Sequence, residues 1–424
     1  MDSQKIYGLV GEKLVHSFSK KIHNLLGNEN YELYPFSKEQ FNLFISKKEF
    51  SGLNITIPYK KDIIPFCDYF CERAEKIGAV NTVCNKNGKL FGYNTDYDGF
   101  KYLITKNKIE IKDKIVVILG TGGTSLTAKC VVNDLGAKEV FRVSRNQNNF
   151  NDVISYENLD QIKEKVEVLI NTTPIGMYPK TFDVPVDILS DINRFISLRA
   201  VVDVIYNPLN TKLILKAKER NLQTATGLSM LVAQAFFAHK LFFNETQSNI
   251  ENTIEKIEKI ILKEKINICL IGMPGCGKSA IAEILSQKLN MKFIDCDKEI
   301  EKDENCSIPN IFLQKGEEYF RTLEFEKIKK LCLENNLIIS TGGGVIKNLK
   351  NIENLKLNSI IIFIDRPLEN LCFDSSRPLS STFEDLKTLY NERYSVYNRV
   401  CDKKITNNTT LGQVANDIIA YCGF

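Results

Sequence analysis

Two glycine-rich segments, each directly after an apolar run, constrain the fold of this chain more than any other feature of its sequence. One is KIVVILGTGGTS at 114–125, and the other is INICLIGMPGCGKS at 266–279. In both, the glycines are followed by helix-forming residues. A strand that ends in glycines and leads into a helix is typical of nucleotide-binding α/β domains. The sequence therefore predicts two such domains.

Length and composition agree with a globular protein of two or three domains. The chain has 424 residues, of which 43% are hydrophobic and 25% charged. Its net charge of +4 comes without a basic stripe, so nucleic acid is not expected as a partner. The longest apolar candidate, Ile360–Ile364, has the length of a strand, far below the roughly 20 residues that cross a bilayer. Without a secretory signal or a membrane segment, a cytoplasmic location is expected.

The cysteines do not indicate a disulfide framework or a zinc site. There are twelve, but no pair has the CxxC spacing, and the chain has only three histidines. Reduced, mostly buried thiols are expected. Of the histidines, His23 is expected to pack in the interior rather than act in catalysis.

The second glycine-rich segment fits the phosphate-loop pattern GxxxxGK[ST]. Its residues are Gly272, Gly275, Gly277, Lys278 and Ser279. In such a loop, backbone N–H groups at a helix N-terminus hold phosphate oxygens, the lysine reaches the β- and γ-phosphates, and the hydroxyl ligates Mg²⁺. The pattern predicts ATP and magnesium binding, but it does not identify the phosphate acceptor.

Several further polar or glycine-rich positions follow this loop. In chain order they are Asp295 and Asp297 in FIDCDKEIE, Arg321 in GEEYFRTLE, Gly342, Gly343 and Gly344 in STGGGVI, Arg377 in SSRPLSS, and Arg393 in YNERYSVYNR. Alternation along a strand end is expected to point the two aspartates to the same side. Together with the loop, the set over 266–424 resembles shikimate kinase.

That resemblance implies a role for each position. Asp297 would bind and orient the acceptor hydroxyl, and Asp295 would support Mg²⁺ through water. Arg321 and Arg393 would bind the shikimate carboxylate, as suits planar bidentate donors.

The remaining positions of the resemblance concern the substrate ring and the lid. The glycines at 342–344 would contact the ring, and Arg377 would neutralise charge during phosphoryl transfer. The sequence departs from the family just before the lid, where ENLCFDSS lacks the arginine that usually stacks on adenine, and the lid looks short.

The first glycine-rich segment is a weaker match to the dinucleotide pattern GxGxxG. Gly120 and Gly122 occupy its first two glycine positions, Gly123 follows them in the loop, and Ser125 stands in place of the third glycine. About 20 residues on, an NAD enzyme places an acid that accepts from the ribose 2′-hydroxyl. This chain has Ser144 and Arg145 there, which favours NADP(H) over NAD.

The residues around this segment resemble shikimate dehydrogenase over about 5–240. The motifs that carry the resemblance are GEKLVHSFSKKIHN, GLNITIPYKK, IGAVNTV, GYNTDYDGF, INTTPIGM, VVDVIYNP and TGLSMLVAQ. The resemblance implies substrate contacts for Ser17, Ser19, Thr56, Asn81, Tyr206 and Gln234, and a cofactor contact for Gly227. Within this set, the two serines would bind the carboxylate, and Thr56, Asn81 and Gln234 would bind ring hydroxyls.

Lys60 and Asp96 match the catalytic pair of that family. Hydride transfer to a keto carbon leaves an alkoxide, which needs a proton and a positive neighbour. Lys60 would supply both, and Asp96 would orient it and also bind the substrate. Which of the two holds the transferred proton stays open.

The predicted architecture is α/β throughout. It consists of a substrate-binding domain at 1–105, completed by about 228–245, a Rossmann-type NADP domain at 106–227, a helical linker at 246–265 and a P-loop domain at 266–424. The expected function is reduction of 3-dehydroshikimate followed by phosphorylation of shikimate. Two alternatives stay open: a non-catalytic, regulatory kinase-like half, and a dehydrogenase that prefers quinate. Assembly into a homo-oligomer is compatible with the sequence.

Overall fold

The computed structural model describes the chain over 5–14, 17–145, 152–185, 192–245, 249–372 and 382–424. The chain forms two compact units. The first is Met1–Asn207 with Lys216–Ile260, and the second is Pro208–Leu215 with Ile261–Phe424. No helix in the described ranges is long and apolar enough to cross a membrane.

The first unit opens with a six-stranded mixed sheet. Its elements are β1 (Tyr7–Gly11), α1 (Ser19–Leu25), β2 (Tyr31–Pro35), α2 (Lys38–Lys47), β3 (Gly52–Ile55), β4 (Tyr69–Phe70), α3 (Glu72–Ile77), β5 (Thr82–Lys86), β6 (Lys89–Tyr93) and α4 (Thr95–Lys106). The strand order is β2-β1-β3-β5-β6-β4, and β5 runs antiparallel to both β3 and β6.

A second six-stranded sheet follows in the same unit. Its elements are β7 (Ile115–Leu119), α5 (Gly123–Asp134), β8 (Glu139–Val143), β9 (Val153–Ile154), α6 (Tyr156–Ile162), β10 (Val168–Asn171), β11 (Ala200–Asp203), α7 (Lys212–Glu219, of which Lys212–Leu215 belong to the second unit), β12 (Gln223–Thr226) and α8 (Leu228–Phe243). All strands are parallel, in the order β12-β11-β10-β7-β8-β9. The order reverses at β7, where an open parallel sheet binds its ligand.

Helix α8 follows the second sheet in the chain but packs closely against α4, the helix that follows the first sheet. A Cβ added at Gly99 would lie 2.8 Å from the Met230 carbonyl oxygen. Helix α9 (Ile250–Lys265) comes next, and Ile254, Ile257 and Ile261 are buried along one face of it, as their spacing predicts.

The second unit is built on a five-stranded parallel sheet. Its elements are β13 (Asn267–Ile271), α10 (Lys278–Leu289), β14 (Lys292–Asp295), α11 (Cys296–Glu304), α12 (Ile308–Leu331), β15 (Leu337–Ser340), α13 (Leu349–Leu355), β16 (Ser359–Asp365), α14 (Phe383–Val400), β17 (Lys403–Thr406) and α15 (Leu411–Cys422). The order is β14-β15-β13-β16-β17, so the phosphate loop follows the central strand. The predicted α/β fold class is confirmed, and so is the strand at 360–364.

Candidate active sites

Strand pairing brings three separate loops of the first unit to one edge of its first sheet. Asn54 of β3 pairs with Thr82 of β5, and Thr82 also pairs with Tyr93 of β6. The end of β3, the start of β5 and the end of β6 therefore meet. The segments that continue from these points carry Lys60, Asn81 and Asp96, which were singled out from the sequence.

The predicted pair is in contact, since Lys60 Nζ donates a hydrogen bond to Asp96 Oδ2. The side chains of Lys60 and Asp96 are 16% and 10% exposed. Asp96 lies in the first turn of α4, where the helix dipole favours a carboxylate. The Asn94 side chain caps this helix by accepting from Tyr97 N at 3.2 Å.

The dinucleotide loop lies directly beside this pair. A Cβ added at Gly123 would lie 3.9 Å from Lys60 Cδ. Gly120 has a φ of +104°, which favours glycine. Ser125 is fully buried and donates to the Gly122 carbonyl oxygen at 2.8 Å, so the serine in place of the third glycine is accommodated within the loop.

The serine segment lies near Tyr206. Ser17 Oγ accepts from Ser19 N at 3.2 Å. The ring of Phe18, between the serines, meets the ring of Tyr206 edge-on at a centroid distance of 6.4 Å. Burial raises the pKa of Tyr206, so it is a neutral donor near this segment.

The other predicted positions of this half flank the same region. Thr56 follows β3 directly. Gln234 lies on α8 and donates to the Leu231 carbonyl oxygen at 3.0 Å. At Gly227 an added Cβ would lie 1.9 Å from the Val204 carbonyl oxygen, so no larger residue fits where α8 begins.

Two arginines near the end of β8 have different environments. Arg142 is buried and bonds Asp152 at 2.7 Å, which holds the pKa of that carboxyl well below its usual range. Arg145, after the half-buried Ser144, is exposed. Of these two arginines, Arg145 is the one whose side chain faces solvent.

The phosphate loop of the second unit has the backbone that its glycines permit. Gly272, Gly275 and Gly277 all have positive φ. A Cβ at Gly275 would lie 2.0 Å from the Cys372 carbonyl oxygen. Lys278 is buried, and its Nζ donates to the carbonyl oxygens of Gly272 and Met273 at 3.0 Å each.

Ser279 and Asp295 form the predicted magnesium position. Ser279 Oγ donates to Asp295 Oδ2 at 2.7 Å. Within the described residues, no group of three or more His, Cys, Asp or Glu side chains could hold a metal. A hydroxyl and one carboxylate suit Mg²⁺, which keeps several waters and binds substrate phosphates.

The expectation that Asp295 and Asp297 alternate on one strand is wrong. Strand β14 ends at Asp295, and Asp297 already lies in the first turn of α11. Asp295 Oδ1 accepts from the backbone N–H groups of Asp297 and Lys298, at 3.1 and 3.3 Å. An aspartate is a preferred N-cap, so the helix starts before the alternation can continue.

Asp297 is half-buried, and its Oδ1 atom is buried with no partner among the described residues. Burial, together with the charge of Asp295, raises the pKa of Asp297 to about 6, against the lowering effects of Lys278 and Arg321. A carboxylate of this kind is suited to accept a proton near neutral pH.

Arg321 lies between two acids, one of which the sequence reasoning missed. It bonds Glu317 Oε1 at 3.0 and 3.1 Å and Glu324 Oε2 at 3.0 Å. Burial raises the pKa of Glu324 to about 7, and its Oε1 has no partner within the described chain. The helical spacing of residues 317, 321 and 324 is the signal that could have found it.

Arg393 projects from α14 and is also buried. Its Nη1 donates to the Gly343 carbonyl oxygen at 2.8 Å, whereas Nε and Nη2 are unpartnered among the described residues. The Tyr397 hydroxyl, another group that the sequence did not single out, donates to the same carbonyl.

The three consecutive glycines are in contact with this cluster. An added Cβ at Gly342 would lie 2.6 Å from Asp297 Oδ1, and one at Gly344 would lie 2.2 Å from Arg321 Nη2. At Gly343 it would lie 2.7 Å from Pro274 of the phosphate loop. The predicted acceptor residues and the loop are thus brought together.

Arg377 lies outside the described residues, so its predicted role is not examined by the structure. A different arginine approaches the phosphate loop. Arg366, just after β16, has its Nη1 3.5 Å from the Gly275 carbonyl oxygen and is half-buried. It lies a few residues before the segment that lacks the expected arginine.

These features define a dinucleotide-dependent oxidoreductase unit joined in one chain to a P-loop phosphotransferase unit. Residues 9–83 match the family model of the shikimate dehydrogenase substrate binding domain, and residues 274–422 match that of shikimate kinase.

Relatives and solved structures agree with the first match. Shikimate dehydrogenase (NADP(+)) from Clostridium beijerinckii is 39% identical over 253 residues, which are 56% of this chain and 92% of the relative. That from Methanosphaera stadtmanae is 38% identical over 61% of this chain and 96% of its own. A chorismate mutase/shikimate 5-dehydrogenase fusion protein from Clostridium acetobutylicum is 36% identical, with a TM-score of 0.55 over 61% of this chain and 96% of its own. The chain belongs to the shikimate dehydrogenase family, and it carries a shikimate kinase domain in its second part.

Proposed function

We propose that this chain carries out two consecutive steps of the shikimate pathway. The first unit reduces 3-dehydroshikimate to shikimate with NADPH, and the second phosphorylates shikimate at its 3-hydroxyl with Mg·ATP. The Lys60–Asp96 pair beside the dinucleotide loop supports the first activity. The Asp297–Arg321–Arg393 cluster beside the phosphate loop supports the second.

In the reductive step, NADPH supplies the hydride to the keto carbon. Lys60 gives a proton to the developing alkoxide and stabilises its charge, while Asp96 orients the ammonium group. Ser17 and Ser19 bind the substrate carboxylate. Thr56, Asn81, Tyr206 and Gln234 surround the ring, and Gly120, Gly122, Gly123 and Gly227 leave room for the cofactor.

In the phosphoryl step, Asp297 accepts the hydrogen of the acceptor hydroxyl through its unpartnered Oδ1. Arg321 and Arg393 bind the carboxylate, and the glycines at 342–344 line the ring. Lys278 leaves its carbonyl partners for the β- and γ-phosphates. Arg377 is proposed to neutralise the transferring phosphoryl group.

The proposal includes the magnesium ligands and the choice of cofactor. Mg²⁺ would be held by Ser279 Oγ, with Asp295 acting through water, and it would neutralise phosphate charge. NADP(H) is preferred because the exposed Arg145, beside Ser144, suits a 2′-phosphate. Comparing kcat/KM for NADP and NAD, and for shikimate and quinate, tests this preference together with the quinate alternative.

We also propose that the chain acts in the cytoplasm on small-molecule substrates. All twelve cysteines are unpaired, as in a reducing compartment. The predicted domain limits of 1–105, 106–227, 246–265 and 266–424 remain part of this proposal.

The decisive experiment assays both activities in one sample. Purified protein is incubated with shikimate and Mg·ATP and analysed for shikimate 3-phosphate, with Lys278→Ala as the control, while NADP-linked shikimate oxidation is followed in parallel. Product that disappears in the variant supports two active sites. Oxidation without any phosphorylated product would instead favour a regulatory second half, although the site keeps Lys278, Ser279 and Asp297.

A further inference from the structure

A continuous set of buried polar side chains lies behind Asn81 in the first unit. Its members come from β2, β3, the residue before β5, the start of β5 and the start of α4, and each is at most 4% exposed: Tyr31, Asn54, Asn81, Thr82 and Thr95. They come from four separate parts of the sequence, yet hydrogen bonds connect all five.

The donor and acceptor of each bond at the outer end can be assigned. The Tyr31 hydroxyl lies 2.7 Å from Asn54 Oδ1. A carbonyl oxygen only accepts, so the phenol donates. This bond fixes the Asn54 amide, whose Nδ2 donates to Thr82 Oγ1 at 3.0 Å.

Around Asn81 the bonds close into a ring. Thr82 Oγ1 donates to Asn81 Oδ1 at 3.1 Å, and Asn81 Nδ2 donates to Thr95 Oγ1 at 3.1 Å. The Thr95 hydroxyl lies 3.0 Å from Thr82 Oγ1 and 3.3 Å from Asn81 Oδ1. Because the Thr82 hydrogen goes to Asn81, the shorter contact assigns the Thr95 hydrogen to Thr82. Each member donates once around the ring, an arrangement that strengthens its bonds cooperatively.

The ring determines what Asn81 can offer a ligand. Asn81 Oδ1 also accepts from Thr95 N at 2.7 Å, so the oxygen is occupied. One Nδ2 hydrogen goes to Thr95, and the second is the group left for a substrate. Asn81 is therefore a donor and not an acceptor at this site.

The Tyr31 ring is itself held firmly. It stacks on His23 with a centroid distance of 3.9 Å and an interplanar angle of 6°. Burial lowers the pKa of His23 to about 3, so the imidazole is neutral and brings no charge next to the relay.

We propose that Tyr31 is a positioning residue of the dehydrogenase: through Asn54 and Thr82 it holds Asn81 as a donor to a substrate hydroxyl oxygen. Without the phenol hydroxyl, the Asn54 amide can rotate and offer its oxygen to Thr82. Thr82 would then donate to Asn54, and Asn81 would lose one of the bonds that hold its amide. The inference rests on the proposed dehydrogenase function and on the substrate role of Asn81.

The test compares two tyrosines that undergo the same chemical change. Tyr31→Phe removes the relay hydroxyl and keeps the ring. Tyr59→Phe is the matched control, because Tyr59 is equally buried, stacks on Phe41 at 4.4 Å and donates to the Phe36 carbonyl oxygen at 2.7 Å. NADP-linked shikimate oxidation is measured for both.

We expect Tyr31→Phe to raise KM for shikimate about three- to tenfold, the value of one hydrogen bond, while KM for NADP stays within about twofold. Tyr59→Phe should leave KM for shikimate unchanged. In an Asn81→Ala background, Tyr31→Phe should add no further increase, because the two residues act as one unit.

Three outcomes would overturn the inference: an unchanged KM in Tyr31→Phe, an equal rise in Tyr59→Phe, or the same rise with Asn81 already removed. If Tyr31→Phe does not fold, Thr82→Val against Thr82→Ser asks the same question, since only valine removes the relay hydroxyl. An unaltered protein that does not oxidise shikimate would contradict the proposed function instead.

Discussion

The two active sites differ in how well their buried polar groups are hydrogen-bonded. In the first unit, Lys60 is paired with Asp96, and both polar atoms of the Asn81 amide are bonded. In the second unit, Asp297 Oδ1, Glu324 Oε1, and Nε and Nη2 of Arg393 have no partner among the described residues. Each such atom costs about 1–3 kcal/mol when buried alone. The first site is assembled in advance, whereas the second depends on its substrate to satisfy its own polar groups.

Lys60→Ala tests the pre-assembled site and should have the largest effect. We expect kcat for shikimate oxidation to fall roughly 10³-fold, within the range of general acid–base catalysis, with a much smaller change in KM. The neighbouring exposed Lys61→Ala is the matched control. A change in KM alone, or an equal loss at Lys61, would remove Lys60 from the chemical step.

Arg393→Met tests the substrate-dependent site. The kinase KM for shikimate should rise roughly 10- to 100-fold, since a charged hydrogen bond is lost. Thermal stability of the second unit should not fall, because a buried and underpaired cation is replaced by an apolar chain. Arg399→Met, at an exposed position of the same helix α14, is the control. A large loss of stability would mean that Arg393 serves the fold.

The pH dependence of the kinase follows from Asp297. Its pKa of about 6 means that the reactive carboxylate is lost as pH falls, so kcat/KM should drop about tenfold per pH unit below 6 and level off above 7. Glu324→Gln should leave the position of this fall unchanged, because Glu324, with a pKa of about 7, is already protonated where Asp297 titrates. A flat profile between pH 5 and 7 would contradict the assignment of Asp297 as the proton acceptor.

Arg366→Ala should have the smallest effect. Because its Nη1 is 3.5 Å from the phosphate loop at Gly275, we expect KM for ATP to rise about threefold to tenfold. Dehydrogenase activity in the same sample serves as the control for folding. An unchanged KM for ATP would mean that Arg366 does not replace the arginine missing before the lid.

The sequence predicted the parts of the two sites that lie within short, continuous motifs. The phosphate loop, the dinucleotide loop and the residues of the Lys60–Asp96 pair each lie in short motifs with their own backbone requirements. The fold class followed from the same motifs, because apolar runs that end in glycines and lead into helices are local signals.

What could not be predicted depends on long-range contacts or on competition between local structures. Tyr31, Asn54 and Thr82 show no motif in common, and only strand pairing brings them together. The helical spacing of Glu324 from Arg321 indicates an ion pair, but the burial that raises the pKa of Glu324 depends on tertiary packing. At Asp295 the side chain caps a helix, so the strand alternation ends there. The residue pattern alone is compatible with both a continued strand and a capped helix.

The three consecutive glycines have a consequence for inhibitors. Because a Cβ at any of Gly342, Gly343 or Gly344 would lie within 2.7 Å of a neighbouring heavy atom, each substitution there would disturb the residues that the kinase needs. An inhibitor that bound the backbone of this segment would contact a surface that a side-chain substitution there cannot change without damaging the enzyme. Resistance would have to arise elsewhere, which makes this short stretch of main chain a durable target.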